Sequence, residues 1–353
     1  MRLALSWVLV PLLVIGAALV GGYWVSSRDG DARSSLVSAL DTLPDDTLVA
    51  GFTDWAKIRE HLDIGDAQTA PARASLNDEA PLRDLSTRSV IGRAVEEMHQ
   101  SYGWSAANVD WEVFGQAGDG AVMVAHLDDS VSLSDVRAAL RKLNYKRDGR
   151  VWNSSAETPT NGELSLTLAS IAIVPAKRLV VAADRDAYVR TVLRVIDRDQ
   201  PSLLAVRPAS QAAESLVGTD TALLQSGSVA CAATTLEEQS ADVQAQVRAA
   251  IARAGSLAAT TCAGRGLVDR STDTQELRFA LGFDSSSQAA DQLRVRKALA
   301  QGPFIGGSGR IEDSLQLTST RVDGSTATFR FDHDPASAAY MTGTGPLLFA
   351  SCP

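Results

Sequence analysis

Between Leu3 and Val25 the chain carries no charge, and residues 6–25 read SWVLVPLLVIGAALVGGYWV. As a helix, residues 3–25 would span roughly 34 Å, enough for a hydrocarbon core of about 30 Å. Tyr23 and Trp24 sit at the far end, where amphipathic rings favour the headgroup layer. Pro11 would kink such a helix without forbidding it. The rival reading is a cleaved leader, with Gly16 and Ala18 as small residues at cleavage-like spacing. The apolar run continues past them to Trp24, which a cleaved leader does not need. An anchor over residues 1–25 is therefore expected, in contact with membrane lipid through residues 3–25. A polar tether over 26–35 follows, and then a long extracytoplasmic region. The positive-inside count does not decide orientation, because Arg2 precedes the span while Arg28 and Arg33 follow it. Export rests on the position of the segment before a long soluble region.

That region has the makings of a folded core. The whole chain is 353 residues long and 45% hydrophobic, with 33 basic residues against 42 acidic ones. No basic run is present, which argues against a nucleic-acid partner. TLVAGF at 47–52 and GAVMVAHL at 120–127 read as buried strands, and so does GSVACAATT from residue 227. Thr53 is placed to cap a helix carrying Trp55, Ile58 and Leu62. Residues 64–81 lack periodicity and read as a loop, whereas STRSVIGRAVEEMHQSYG reads as one helix closed by Gly103. LSLTL at 164–168 alternates like a strand, and SIAIV with RLVVAA forms a hairpin across Pro175–Lys177. Asp184 would cap the helix bearing Val189, Val192 and Ile196. SADVQAQVRAAIARAG is a helix closed by Gly255. ELRFALGF alternates cleanly, and Asp323–Gly324 joins two strands in a tight hairpin.

Two stretches share one order. VMVAHLDDSVSLSDVRAALRKL and LRFALGFDSSSQAADQLRVRKALA each run strand, polar turn, helix, with further strands after. The expectation is an α+β protein of mixed, mainly antiparallel sheets with packed helices. Its two modules span 36–205 and 215–353 and are either related or built alike from common units.

Three cysteines occur, Cys231, Cys262 and Cys352, with no CxxC or zinc-knuckle spacing. An oxidising compartment favours one disulfide and one free thiol. Cys231–Cys352 is the preferred pair, because the apolar tail GPLLFASCP must dock somewhere. Cys231–Cys262 and three reduced thiols are the alternatives.

Candidates for chemistry are few. His126 and His333 are flanked by acids in AHLDDS and FDHDP, but metal ligands need converging groups, and the spacing puts no pair on one helical face. No metal or cofactor is expected. GPFIGGSGR and TGTGPLL read as turns, since neither sits between a strand and a helix as a phosphate cradle requires. Ser308 lies outside any G-x-S-x-G arrangement. Asn153 begins a short glycosylation-like match. Trp104 and Trp111 suit a core more than a binding platform. Asp110 and Glu112 flank Trp111 and share a side only if this stretch is a strand. No catalytic residue is assigned.

At LPDDTLVAGFTDWAKI and VDWEVFGQAGDGAVMV, with DGRVW and AKRLVVAADRDAYV downstream, the chain resembles a group of uncharacterised membrane-anchored exported proteins of GC-rich Gram-positive, actinobacterial-type bacteria. The resemblance covers roughly residues 40–210 and implies a location and an architecture but no activity. The functional expectation is a non-enzymatic binding or scaffolding component of the cell envelope, held at the cell membrane by one span. Another envelope protein or a glycan would be its partner. A carrier of lipid or another apolar ligand is one alternative, and an envelope hydrolase is another.

Overall fold

In the computed structural model, residues 35–65, 67–155, 164–232, 240–305, 309–335, 340–341 and 347–352 are described. The expected anchor and all but the last residue of its tether lie outside these residues. No helix among the described residues is long and apolar enough to cross a membrane.

Residues 35–40 form α1, ahead of β1 (Val49–Thr53). Three helices follow, α2 (Trp55–His61), α3 (Ala70–Leu82) and α4 (Val95–Tyr102), then the hairpin β2 (Val109–Ala117) and β3 (Gly120–Leu127). Next come α5 (Leu133–Lys142), β4 (Lys146–Asp148), β5 (Val151–Asn153), α6 (Leu164–Thr167), β6 (Ser170–Val174), β7 (Leu179–Ala183) and α7 (Asp186–Ile196). The rest of the chain supplies α8 (Arg207–Ser215), β8 (Thr221–Ser226), α9 (Val229–Ala232) and α10 (Ala241–Ala254). It continues with β9 (Cys262–Ser271), β10 (Thr274–Gly282), α11 (Ser286–Leu299), β11 (Leu315–Asp323) and β12 (Thr326–His333).

All twelve strands join one sheet in the order β11-β12-β10-β9-β8-β1-β2-β3-β7-β6-β5-β4. Every ladder is antiparallel. The sheet is covered on both faces, so its strands read as apolar on both sides at the centre. One core layer lies between the sheet and α2–α6, α10 and α11; it includes Leu76, Met98, Leu140, Leu277, Phe279 and Val295. The other lies under α1, α7 and α8 and includes Leu40, Phe52, Val181, Val192 and Ala212. Strand alternation sorts the two layers: Leu277, Phe279 and Leu281 face one, Ala280 the other.

The order about the central β1·β8 pair repeats. β1 pairs β2, which turns into β3, and β3 also pairs β7, the last strand of its half. β8 pairs β9, which turns into β10, and β10 also pairs β12. α5 and α11 occupy the same place after β3 and β10.

Several local expectations are corrected. α2 is capped by Asp54, whose side chain accepts from Lys57 N, and not by Thr53. Residues 70–82 are helical although no apolar stripe marks them. Thr69 caps this helix, a proline fills its first turn, and its inner face is Arg73, Leu76 and Ala80, with Arg73 held by Glu96 of α4. The long helix expected from residue 86 begins only at Val95. Ahead of it the Glu112 carboxylate accepts from Val90 N and Ser89 Oγ, so this backbone finds a partner outside any helix. LSLTL forms one helical turn with Leu164 and Leu168 both in the core, and the segment from Gly227 is helical at Val229–Ala232. Asp184 accepts from Ala121 N across the sheet instead of capping α7.

Cys231 and Cys352 lie at disulfide-bonding distance with Cα atoms 5.3 Å apart, and Cys262 is a buried free thiol. Burial pushes the Cys262 thiol up to about 11. The bridge closes a loop of 121 residues. Cys352→Ser is expected to lower stability by about 2–4 kcal/mol in denaturant titrations, and Cys262→Ala by less. Non-reducing peptide maps should join the segments holding Cys231 and Cys352, and Cys262 should resist alkylation until the chain unfolds. A map linking Cys262 to either partner would refute the pairing.

Candidate functional site

Two concavities are candidates, and they lie on opposite faces of the sheet. The first is a polar cleft of about 730 Å³ between α1 and α7. Its wall is built at a β-bulge. Val109 faces Leu127, yet Trp111 faces His126, so two residues of β2 oppose one step of β3. The cross-strand rings of Trp111 and His126 stack at 5.5 Å. The bulge brings Asp110 to the same side, with its carboxylate 2.9 Å from His126 Nδ1. An ionised carboxylate only accepts, so the imidazole Nδ1–H is the donor in this contact. The pair Asp110 and Glu112 is thereby split. Glu112 points to the other face, fully buried, accepting from Trp55 Nε1 and Ser89 Oγ, and burial raises its carboxyl above the ordinary range.

Ser38, Thr42, Lys57 and Lys177 line the rest of the cleft, with Asp41 and Arg198 paired across its mouth. Burial raises the Asp41 carboxyl, but hydrogen bonds from Arg198 and Ser202 outweigh it and hold the group low. Asp54, at the start of α2, accepts from Ser35 Oγ at 2.9 Å, and burial raises it. Beyond Lys57 a polar seam ties the two halves of the sheet together. Lys57 Nζ reaches Gly218 O, His61 Nδ1 lies 3.3 Å from Asp220, and Arg83 pairs with Asp269 at 2.6 Å.

The second concavity is an apolar groove of about 440 Å³ between α10, α11 and the strap 347–352. Ala249, Ala250 and Ala298 leave the trough open; Leu299, Phe304, Ile305, Leu347 and Leu348 line it. Gly255 ends α10 at φ +125°, and a Cβ there would come 2.9 Å from Val295, so only glycine lets α10 seat on α11 this way. The strap is held from below by Arg296. Its guanidinium is fully buried and donates to the carbonyls of Phe349 at 2.6 Å, Ser351 at 2.8 Å and Ala258 at 2.8 Å. Burial without a carboxylate partner pulls Arg296 down to about 10. Phe349 packs among Phe279, Phe329 and Phe331, and the bridge to Cys231 pins the end.

The other residues singled out in the sequence do not converge. His333 is buried against Tyr340, and burial lowers it. Trp104 is core. Asn153 lies in β5 and accepts from Ser170 Oγ. Gly302 N donates to Glu312 in a turn, while Ser308 and residues 342–346 lie outside the described residues. No group of three or more His, Cys, Asp or Glu suited to a metal ion occurs among the described residues. The groove went unread because its signal is an absence: alanines on α10 where a packed helix would carry larger side chains.

No family model matches the chain, and no curated protein matches it. Solved structures with some likeness are crystal forms I, III and IV of TP0453, at 8%, 10% and 8% identity and TM-scores of 0.40, 0.42 and 0.42. They cover 87–88% of this chain and 98–99% of that one, and nothing is carried over from them.

The His61–Asp220 contact carries a pH signature. The hydrogen bond to Asp220 raises the imidazole above 6.5, against the opposing effect of burial. The folded state binds this proton more tightly than the unfolded one. Its stabilisation is therefore full below the unfolded value and lost as pH rises through the raised folded value. His99 and His333, lowered by burial, act with opposite sign, so the comparison must be with a variant. His61→Asn should lose stability relative to the parent at about pH 5 and converge with it near pH 9 in thermal unfolding. Parallel curves across that range would refute the assignment.

Proposed function

We propose that the chain is a membrane-anchored, extracytoplasmic binding component of the cell envelope, and that its groove receives an apolar ligand. The groove carries this reading. Its volume lies within the roughly 300–1,000 Å³ of small-molecule sites, its lining is mainly hydrocarbon, and no nucleophile or carboxylate is among the described lining residues. The covalent bridge that fixes its strap suits an oxidising compartment. The uncharged run 3–25 supplies the anchor and residues 26–35 the tether. The repeated strand order supports a reading of 36–205 and 215–353 as related modules that share one sheet.

Protease added to intact spheroplasts should digest the folded portion; resistance until lysis would reverse the placement. Native mass spectrometry after mild extraction should show a co-purifying apolar molecule, and repeated absence of added mass would count against a ligand-carrying role.

A second reading rests on the polar cleft. Asp110 and His126 form a carboxylate–imidazole pair, and Ser38 and Thr42 line the same space, which are residue types a hydrolase uses. On this reading a serine-directed activity probe labels the protein, and His126→Ala removes the label; no labelling of the parent would eliminate it.

A further inference from the structure

The groove between α10 and α11 is asymmetric. Along α10 its lining runs from Gln246 through Ala249 and Ala250 to Arg253, in the last turn. Among the described lining residues Arg253 alone carries a charge. It is exposed, and no ion pair involving it occurs among the described residues. The opposite wall is Phe304, Ile305 and the strap leucines, Leu347 and Leu348. An apolar trough with one cation at one end is complementary to an amphiphile with one anionic head. The arginine stem can lie on the hydrocarbon while its guanidinium meets the head at the water boundary.

We infer that the groove holds the single acyl chain of a long-chain fatty acid, with the carboxylate at Arg253. This deepens the reading of the groove as an apolar-ligand site and rests on it. The strap is the wall against which the chain lies. It is fixed at three levels: by the Arg296 bonds to its carbonyls, by Phe349 in the aromatic cluster, and by the Cys231–Cys352 bridge. A wall held this firmly keeps the trough open when empty, so little ordering accompanies entry of the chain.

The test uses the full-length protein in nanodiscs with palmitic acid carrying a mid-chain diazirine. After irradiation the adducts are mapped by mass spectrometry. The expected result is labelling at 298–305 and 347–350. It should fall roughly three- to fivefold with Arg253→Glu, as suits an exposed charge pair. The same fall is expected in the unaltered protein when palmityl alcohol replaces the acid, a comparison that needs no variant to fold. Ala298→Trp, which fills the trough, should abolish the labelling. Equal groove labelling by acid and alcohol would overturn the carboxylate assignment and leave the apolar-ligand reading standing. Adducts confined to residues 3–25, or a crosslink placing that segment in the groove, would overturn both.

Discussion

The β1·β8 ladder is the contact on which the architecture depends. Val49 to Thr53 lie opposite Gln225 to Thr221, and this ladder joins a seven-stranded half-sheet to a five-stranded one. Ala50, Phe52, Ala222 and Leu224 face one core, and Gly51 leaves space on the other side for the segment at Arg88. Each half-sheet would otherwise present a bare edge at its first strand, a template for pairing with any other chain. Joining the two edges removes both and leaves the outer ends at the three-residue β4 and the bulged β11. The long sequence separation of the partners makes this an entropically costly closure, which the core layers on both faces must offset.

Polar groups reinforce the seam where apolar packing stops. Asp54 N donates to Asp220 O at 2.7 Å at the end of the ladder, and Lys57 and His61 of α2 reach across to the Asp220 side chain. Asp220 is buried and also accepts from Asp269 N at 2.6 Å, so its carboxylate is held by backbone as well as by cations. Losing one partner would leave a desolvated charge, a larger penalty than the pair's own net stabilisation. The seam therefore registers the two halves more than it strengthens either.

What the sequence disclosed follows from period. Strands with strict alternation or unbroken apolar runs, such as β10, β3 and β7, were legible because burial and residue type coincide there. The helix with a wide apolar stripe, α7, was legible for the same reason, and α10 by its Ser240 cap and closing Gly255. α3 was not, because its inner face is Arg73, Leu76 and Ala80 with one large apolar side chain among them, and the segment 86–94 was misread because a buried carboxylate from β2 replaces its helical bonds. The hairpin turn at Asp323–Gly324 was readable, with Gly324 at φ 56°, but the bulge that turns Asp110 toward His126 has no local signature. The cleft thus brings together residues that looked suggestive singly, while the groove is made of residues that looked like nothing.

That contrast bears on which concavity has been shaped for a ligand. In the cleft the polar groups already have partners: Arg198 pairs with Asp41, His126 lies against Asp110, Asp54 accepts from Ser35, and Lys57 reaches out to Asp220 beyond the cleft. A ligand there would have to displace existing pairs and bear the cost of desolvating them. In the groove the electrostatic cost is borne underneath, by a buried Arg296 whose partners are three backbone carbonyls, the Gln292 side-chain oxygen and a phenylalanine ring, Phe283, with its guanidinium 5.4 Å away. A hydrophobic residue there would pack without that electrostatic cost, but it could not hold three carbonyls of irregular backbone against the helix. The cation is explained by the strap it positions, and the strap has a structural consequence in the groove it walls.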